Sequence, residues 1–149
     1  MRDVAFTSTL PLDHHRELEA LLFFNRRQAA MRPGIVAAIE RYGPPEIIAT
    51  GQRLRVRVAG PTEVQCLFAV EHAGSGSRPV GVVLYTRDSF ERITILHLVV
   101  AGGYAAGGPL ASRQLPLRLV QAVRRVARRM AHPHAVRTAP ALARAAATK

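Results

Sequence analysis

The spacing of apolar residues switches several times between the period of a strand and the period of a helix, and this switching predicts the order of the elements. Residues 3–10 alternate roughly between apolar and polar side chains, which predicts a first strand. Apolar residues then recur at helical spacing in residues 14–29 and again in residues 35–41, which predicts two helices. The run Gly43-Pro44-Pro45 ends the second of them.

Five strand-like segments follow, at residues 46–50, 53–58, 63–72, 80–87 and 92–101. In the second segment arginine alternates with leucine or valine, which is typical of a strand with one face in water. Because the turns between the segments are short, we expect successive strands to form an antiparallel meander. Together with the two N-terminal helices, these segments predict an α+β fold with a mostly antiparallel mixed sheet.

The last strand-like segment leads into a glycine-rich loop and then into a basic amphipathic helix. Pro116 is tolerated only in a first helical turn, so we place the start of the helix near Leu115. Arginines occupy much of the face opposite its apolar stripe, at positions 118, 124, 125, 128 and 129. Backbone N–H groups at such a junction can bind an anion, helped by the helix dipole. The junction favours a phosphate-bearing ligand, with a purely structural turn as the alternative.

Length and cysteine content set the expected organisation. A chain of 149 residues with 48% apolar residues is expected to form one domain. We assign residues 1–131 to this domain and residues 132–149 to a C-terminal extension or short terminal elements, with residues 135–138 as a candidate strand. Cys66 is the sole cysteine and lies in an apolar run, which predicts a core thiol and a reducing cytoplasm. No apolar run reaches the roughly 18–20 residues of a membrane span.

Charge is distributed unevenly along the chain. Residues 1–91 carry 11 Arg against 10 Asp and Glu, whereas residues 92–149 carry nine Arg and one Lys and no acid. The final third should therefore attract a polyanion such as a nucleic acid, an anionic membrane face or a phosphate-rich cofactor. Aromatic residues make up only 5% of the chain and Trp is absent, which leaves few platforms for base stacking. Nucleic-acid binding stays open as an alternative function.

Three stretches of the chain are similar to one known family. The first is a predicted strand pair, made of Phe68-Ala-Val-Glu-His and Arg78-Pro-Val-Gly-Val-Val-Leu-Tyr-Thr-Arg. The second is the last predicted strand with the start of the loop, Leu96-His-Leu-Val-Val-Ala-Gly-Gly-Tyr. The third lies in the helix after the loop, Leu117-Arg-Leu-Val-Gln-Ala-Val-Arg-Arg-Val-Ala-Arg. These stretches, and the order of elements around them, resemble the GNAT superfamily of N-acetyltransferases. The resemblance implies a GNAT-like fold, acetyl-CoA or another acyl-CoA as cofactor, and transfer of the acyl group to an amine of an unknown acceptor.

The resemblance also assigns cofactor contacts. The last strand would face the pantetheine arm of acyl-CoA, and the loop after it would hold the pyrophosphate. The residues at these positions, together with an arginine near the end of the loop, are Leu98, Val99, Val100, Tyr104, Ala105, Ala106, Gly107, Gly108 and Arg113.

Acyl transfer to an amine needs a base for the ammonium proton and donors for the thioester oxyanion. His97, in the middle of the last strand, is the first candidate base, and a hydrogen-bonded sheet histidine is the alternative. Glu71 is a second candidate, with an exposed strand end as the alternative. Tyr104 could reach the leaving thiolate, or it could be a packed tyrosine. His14 and His15 are adjacent and would point to different faces of their helix, and His132 and His134 have no acidic or Cys partner nearby, so no metal site is predicted.

The loop departs from the signature of the family that it resembles. The stretch Ala105-Ala106-Gly107-Gly108-Pro109-Leu110 lacks the leading Gln or Arg, and Pro109 has no N–H to donate. These departures leave open a degenerate enzyme or a non-catalytic interaction module with the same fold. A homodimer is also left open.

Overall fold

The computed structural model describes residues 3–23, 43–60, 63–74, 76–87 and 92–131. The strands are β1 (Asp3–Thr7), β2 (Leu10–Pro11), β3 (Pro45–Thr50), β4 (Arg53–Val58), β5 (Gln65–Ala73), β6 (Gly76–Arg87) and β7 (Ile93–Val100). The α-helices are α1 (His15–Phe23) and α2 (Leu115–Ala131). Single turns of 3-10 helix lie at Leu12–His14, Gly102–Tyr104 and Ala111–Arg113.

The described strands form two sheets, ordered β1-β5-β6-β7 and β2-β4-β3, and every pairing in them is antiparallel. The α+β class and the antiparallel pairing are thus confirmed, and the described strands divide between two sheets where a single mostly antiparallel mixed sheet was expected. The β3–β4 hairpin does not join β5 edge to edge. Leu54, Val56 and Val58 of β4 are buried and belong to the same core as Phe68 of β5, so the hairpin covers one face of the larger sheet.

Predicted and observed strands agree closely in the segment from β3 to β7. The predicted hairpin at residues 46–50 and 53–58 is confirmed by β3 and β4, which pair from Pro45 opposite Val58 to Thr50 opposite Arg53. The predicted first strand is split into β1 and β2 by Ser8 and Thr9. Strand β6 begins at Gly76, four residues before its predicted start at residue 80, because its early residues pair with the end of β5.

Two cores lie on opposite faces of the four-stranded sheet. Alternate residues of β6 face opposite ways: Val82 and Leu84 pack with α1 and the smaller sheet, whereas Val83 and Tyr85 pack beneath α2. All of these side chains are at most 4% exposed. Burial on both faces explains why the sequence of β6 is a nearly continuous apolar run and does not alternate between apolar and polar residues.

Helix α1 buries Leu18, Leu21 and Leu22, which repeat at helical spacing on one face. Its observed start at His15 agrees with the prediction of a helix over residues 14–29, although residues 24–29 lie outside the described part of the chain. The second predicted N-terminal helix, at residues 35–41, and the candidate strand at residues 135–138 also lie outside it. The described part therefore contains one N-terminal helix, not two.

Helix α2 begins at Leu115, as predicted, with Pro116 in its first turn. Among the side chains of this helix that the structure describes, the buried ones are Leu115, Leu119, Ala122, Val123 and Ala127. The helix approaches the sheet closely at Gly81, where an added Cβ would lie 2.9 Å from Cδ1 of Leu119. Among the described residues, neither helix is long and apolar enough to cross a bilayer.

Candidate functional site

Strand β7 changes register with β6 at one position near its middle. His97 lies opposite Leu84, but Ile95 lies opposite Tyr85, so Leu96 is an extra residue on β7. Such a bulge bends a strand and interrupts its ladder of hydrogen bonds. Strand β7 is also the edge of its sheet, and no described strand pairs with its outer side. The bulge and the open edge lie directly before the glycine-rich loop.

The loop after β7 folds onto itself through its own backbone. The N–H of Leu110 donates to the carbonyl of Gly103 at 2.7 Å, and the N–H of Gly108 donates to that of Ala105 at 2.9 Å. A Cβ on Gly108 would lie 2.5 Å from the carbonyl oxygen of Gly102, so only glycine fits there. Gly107 has φ +85°, a left-handed conformation that also favours glycine.

These internal bonds limit what the loop can offer to an anion. Of the predicted pyrophosphate residues, Tyr104, Ala105 and Gly108 already donate their N–H groups to loop carbonyls. Gly107 makes no hydrogen bond to another described residue and is exposed. Arg113 is also exposed and lies two residues before α2. Of the predicted set, Gly107 thus offers an unused backbone N–H, and Arg113 is an exposed cation near the start of α2.

Tyr104 and Glu71, two of the predicted catalytic residues, are in direct contact. The hydroxyl of Tyr104 donates to Oε2 of Glu71, and Nε of Arg78 donates to Oε1 of the same carboxylate at 3.1 Å. Glu71 and Arg78 are cross-strand neighbours on β5 and β6, whereas Tyr104 comes from the loop. Glu71 is 4% exposed and Tyr104 2%, so Glu71 is not an exposed strand end, and Tyr104 is a packed tyrosine. The cluster attaches the loop to the sheet.

His97, the third predicted catalytic residue, lies on the opposite face of the sheet. It is paired with Leu84, whose side chain belongs to the core on the α1 side, whereas Tyr104 belongs to the core beneath α2. His97 is 8% exposed, and its Nε2 has no hydrogen-bond partner among the described residues. Burial lowers the pKa of His97 below its ordinary value of 6.5, so the imidazole is neutral at pH 7. The structure therefore separates His97 from Glu71 and Tyr104.

The predicted pantetheine contacts lie along the second half of β7. Leu98 packs partly into the core beneath α2, and Val99 packs partly into the opposite core. Val100 is 8% exposed, beneath α2. The side chains of these three residues thus pack into the two cores. A ligand could contact only their main-chain N–H and C=O groups on the outer side of β7.

Cys66 is a core residue, as its apolar run predicted. Its side chain is 5% exposed, and its Sγ lies 3.6 Å from the carbonyl oxygen of Ser8. Burial raises the pKa of the Cys66 thiol, which opposes formation of the thiolate that a nucleophile would need. In the described part of the chain, no group of three or more His, Cys, Asp or Glu residues is arranged to hold a metal ion.

A groove of about 500 Å³ lies between the first half of β7 and the second half of α2, and we call it the β7–α2 groove. Its apolar lining is Ile93, Ile95, Val120, Val123 and Ala127. Arg124 and Arg128 complete the lining. Sequence reasoning missed this groove because its two walls are about 30 residues apart. The alternation of Ile93 and Ile95 at an edge strand was the available signal.

No model of a known protein family matches the chain, and no curated protein or solved structure matches it either.

Proposed function

We propose that the chain is a GNAT-like domain that binds an acyl-CoA along β7 and the glycine loop and transfers the acyl group to an amine. The observation that carries this proposal is the bulge at Leu96, where an edge strand loses register directly beside a buried imidazole with an unpartnered nitrogen. The anchored loop and α2 follow within the next 20 residues and supply the candidate anion contacts.

The edge of β7 suits the pantetheine arm of the cofactor. Pantetheine carries amide groups, which can hydrogen-bond to an open strand edge much as an added strand does. No described strand covers the outer side of β7. The second half of the strand, residues 98–100, leads directly into the loop, so an arm bound there would bring its phosphates to Gly107.

The loop and α2 suit the pyrophosphate. The N–H of Gly107 is not used by another described residue. Arg113 is exposed and lies two residues before α2. A guanidinium can bind a phosphate through two parallel hydrogen bonds. The partial positive charge of the helix N-terminus adds to this attraction. Residues 92–131 contain no acid, and the carboxylate of Glu71, which contacts the loop through Tyr104, is bonded to Arg78. The loop therefore offers the pyrophosphate fewer backbone N–H groups than the sequence predicted, because Tyr104, Ala105 and Gly108 use theirs within the loop.

His97 is the base in this proposal. An acyl-CoA would supply a thioester carbonyl, at which a C–N bond forms as the C–S bond breaks. Nε2 of His97 would take the proton that the attacking amine must lose. Its unpartnered state and its lowered pKa both suit that role, because a base must be deprotonated at the working pH. Glu71 and Tyr104 then act as structural anchors of the loop, not as catalytic residues.

The exposed arginines of α2 favour a second candidate function, which is binding to a nucleic-acid backbone. Arg124, Arg125, Arg128 and Arg129 are exposed, and none is bonded to another described residue. Contacts with phosphates would make the affinity fall steeply with salt. A mobility shift with arbitrary DNA at low and high salt separates this candidate from the acyl-CoA proposal.

Calorimetry with acetyl-CoA tests the proposed function directly. Ala106 is exposed in the loop beside Gly107 and can carry a new side chain without a left-handed backbone. We expect Ala106→Asp to weaken binding by about tenfold or more, because a carboxylate would lie near the phosphates. Ala106→Asn has nearly the same shape without the charge and should bind within about threefold of the unmodified protein. Absence of binding at millimolar acetyl-CoA would overturn the proposal.

A further inference from the structure

We propose that the β7–α2 groove binds an extended, acidic segment of a partner protein, which adds as a strand to the outer edge of β7. The groove lies at the end of β7 and α2 that is farther from the glycine loop, so this inference does not rest on the acyl-CoA proposal. It is argued from the open strand edge, the apolar lining and the charge of the two lining arginines.

The first observation is an apolar strip at a strand edge with which no described strand pairs. Ile93 and Ile95 are alternate residues that line the groove, and Ile95 is 36% exposed. An edge strand with exposed apolar side chains is a template for pairing with another strand. Main-chain hydrogen bonds to β7 would give a segment affinity, and alternate side chains entering the groove would give it selectivity.

The second observation is the charge at the groove. Arg124 and Arg128 lie one helical turn apart, and neither forms an ion pair or hydrogen bond with a described residue. Four residues of helix span about 6 Å. Alternate residues of a strand repeat every 6.6–6.8 Å or so. Two acidic residues at alternate positions of an added strand would therefore match the spacing of the two arginines.

The same charges disfavour the other occupants. A second copy of the chain would bring its own charge of +11 to a basic surface. The chain's own residues 132–149 carry Arg137, Arg144 and Lys149 and no acid, so they offer no complementary charge. A nucleic acid would find no aromatic side chain in the groove lining on which to stack its bases. An acidic and partly aliphatic peptide matches both the apolar lining and the arginines.

Binding of a synthetic peptide to the full chain tests this proposal. The probe is Val-Thr-Val-Thr-Glu-Thr-Glu, which places valines and glutamates on one face of a strand, and the control probe has Gln in place of Glu. We expect the acidic probe to bind at least about tenfold more tightly. The double variant Arg124→Glu/Arg128→Glu should lose that preference. The matched variant Arg125→Glu/Arg129→Glu changes the same charge at the same spacing outside the groove and should keep it.

Three results would overturn the proposal. Failure of the acidic probe to bind at millimolar concentration is the first. Equal loss in the two double variants is the second, because it would show attraction to the whole basic helix and not to the groove. The third is slow hydrogen exchange, in the protein alone, of the β7 amides that point away from β6, which would mean that the edge is already covered. Sedimentation would then assign the cover to a second copy if the mass doubles, or to the chain itself if it does not.

Discussion

The hydroxyl of Tyr104 donates a hydrogen bond to the carboxylate of Glu71, and this contact joins the glycine loop to the four-stranded sheet. Arg78 donates to the other oxygen of the same carboxylate, so both oxygens of a nearly buried acid are bonded. An acid that is buried and bonded in this way is costly to leave half satisfied. The loop conformation therefore depends on a polar contact that lies beneath it.

We expect Tyr104→Phe to lower the free energy of unfolding by about 1–3 kcal/mol, because it leaves Oε2 of Glu71 without its phenolic donor. Chemical denaturation measures this loss. Tyr85→Phe is the matched control, since Tyr85 is also buried but its hydroxyl bonds to no described residue. Its loss should be under about 1 kcal/mol. Equal losses in the two variants would mean that the Glu71 contact adds nothing to stability.

The close packing of the loop leads to a second prediction. Gly108→Ala places a Cβ 2.5 Å from the Gly102 carbonyl oxygen and 2.6 Å from that of Gly103, so the backbone must move. We expect a loss of about 1–3 kcal/mol in unfolding free energy.

Gly103→Ala is the matched control for this substitution in the same loop. Its Cβ would meet nothing within 4 Å, and the residue does not have a positive φ. We expect stability to stay equal or to rise by up to about 1 kcal/mol, because alanine restricts the unfolded chain. If Gly108→Ala proved as harmless as Gly103→Ala in thermal unfolding, the described loop conformation would be wrong.

Burial of His97 predicts how stability depends on pH. Because the pKa of His97 is lowered in the folded state, the unfolded chain binds this proton more readily below about pH 6.5. Folded stability should therefore be complete above that pH and fall as the pH drops through 6.5 towards the lowered pKa. We expect the drop between pH 7.5 and pH 5.5 to be smaller in His97→Gln, measured by urea unfolding. An identical drop would show that His97 is not held neutral.

Local pattern was sufficient to predict the elements from β3 to α2, because each carries its own signal. Alternating arginine and valine indicated the β3–β4 hairpin, and Pro116 fixed the start of α2 at Leu115. The division into two sheets was not predictable in this way. The pattern shows which face of a strand is buried but not which element packs against that face. The buried face of β4 packs into the core that it shares with the four-stranded sheet, and β4 does not pair with a strand of that sheet.

The candidate site was predicted residue by residue but not as an arrangement. The sequence grouped His97 with Glu71 and Tyr104, whereas the sheet places His97 on the other face. The bulge at Leu96 decides which residues of β7 share a face, and nothing in the run Ile-Thr-Ile-Leu-His-Leu marks it. The sequence also did not predict that loop N–H groups donate to loop carbonyls, because these hydrogen bonds depend on how the chain folds back between Gly103 and Leu110.

The role of His97 as a base gives the last prediction. Should acetyl-CoA bind, we expect His97→Gln to lower kcat for transfer to an amine by about 10²–10⁴-fold, with KM for acetyl-CoA changed little. In the unmodified protein the rate should fall at a lower pH than it would with an ordinary imidazole as base, because burial lowers the pKa of His97. His15→Gln, at an exposed histidine of α1, should leave the rate unchanged. A His97→Gln variant with full kcat would remove His97 from the chemistry, and the unpartnered Nε2 would then be only a cost of packing a histidine into the core.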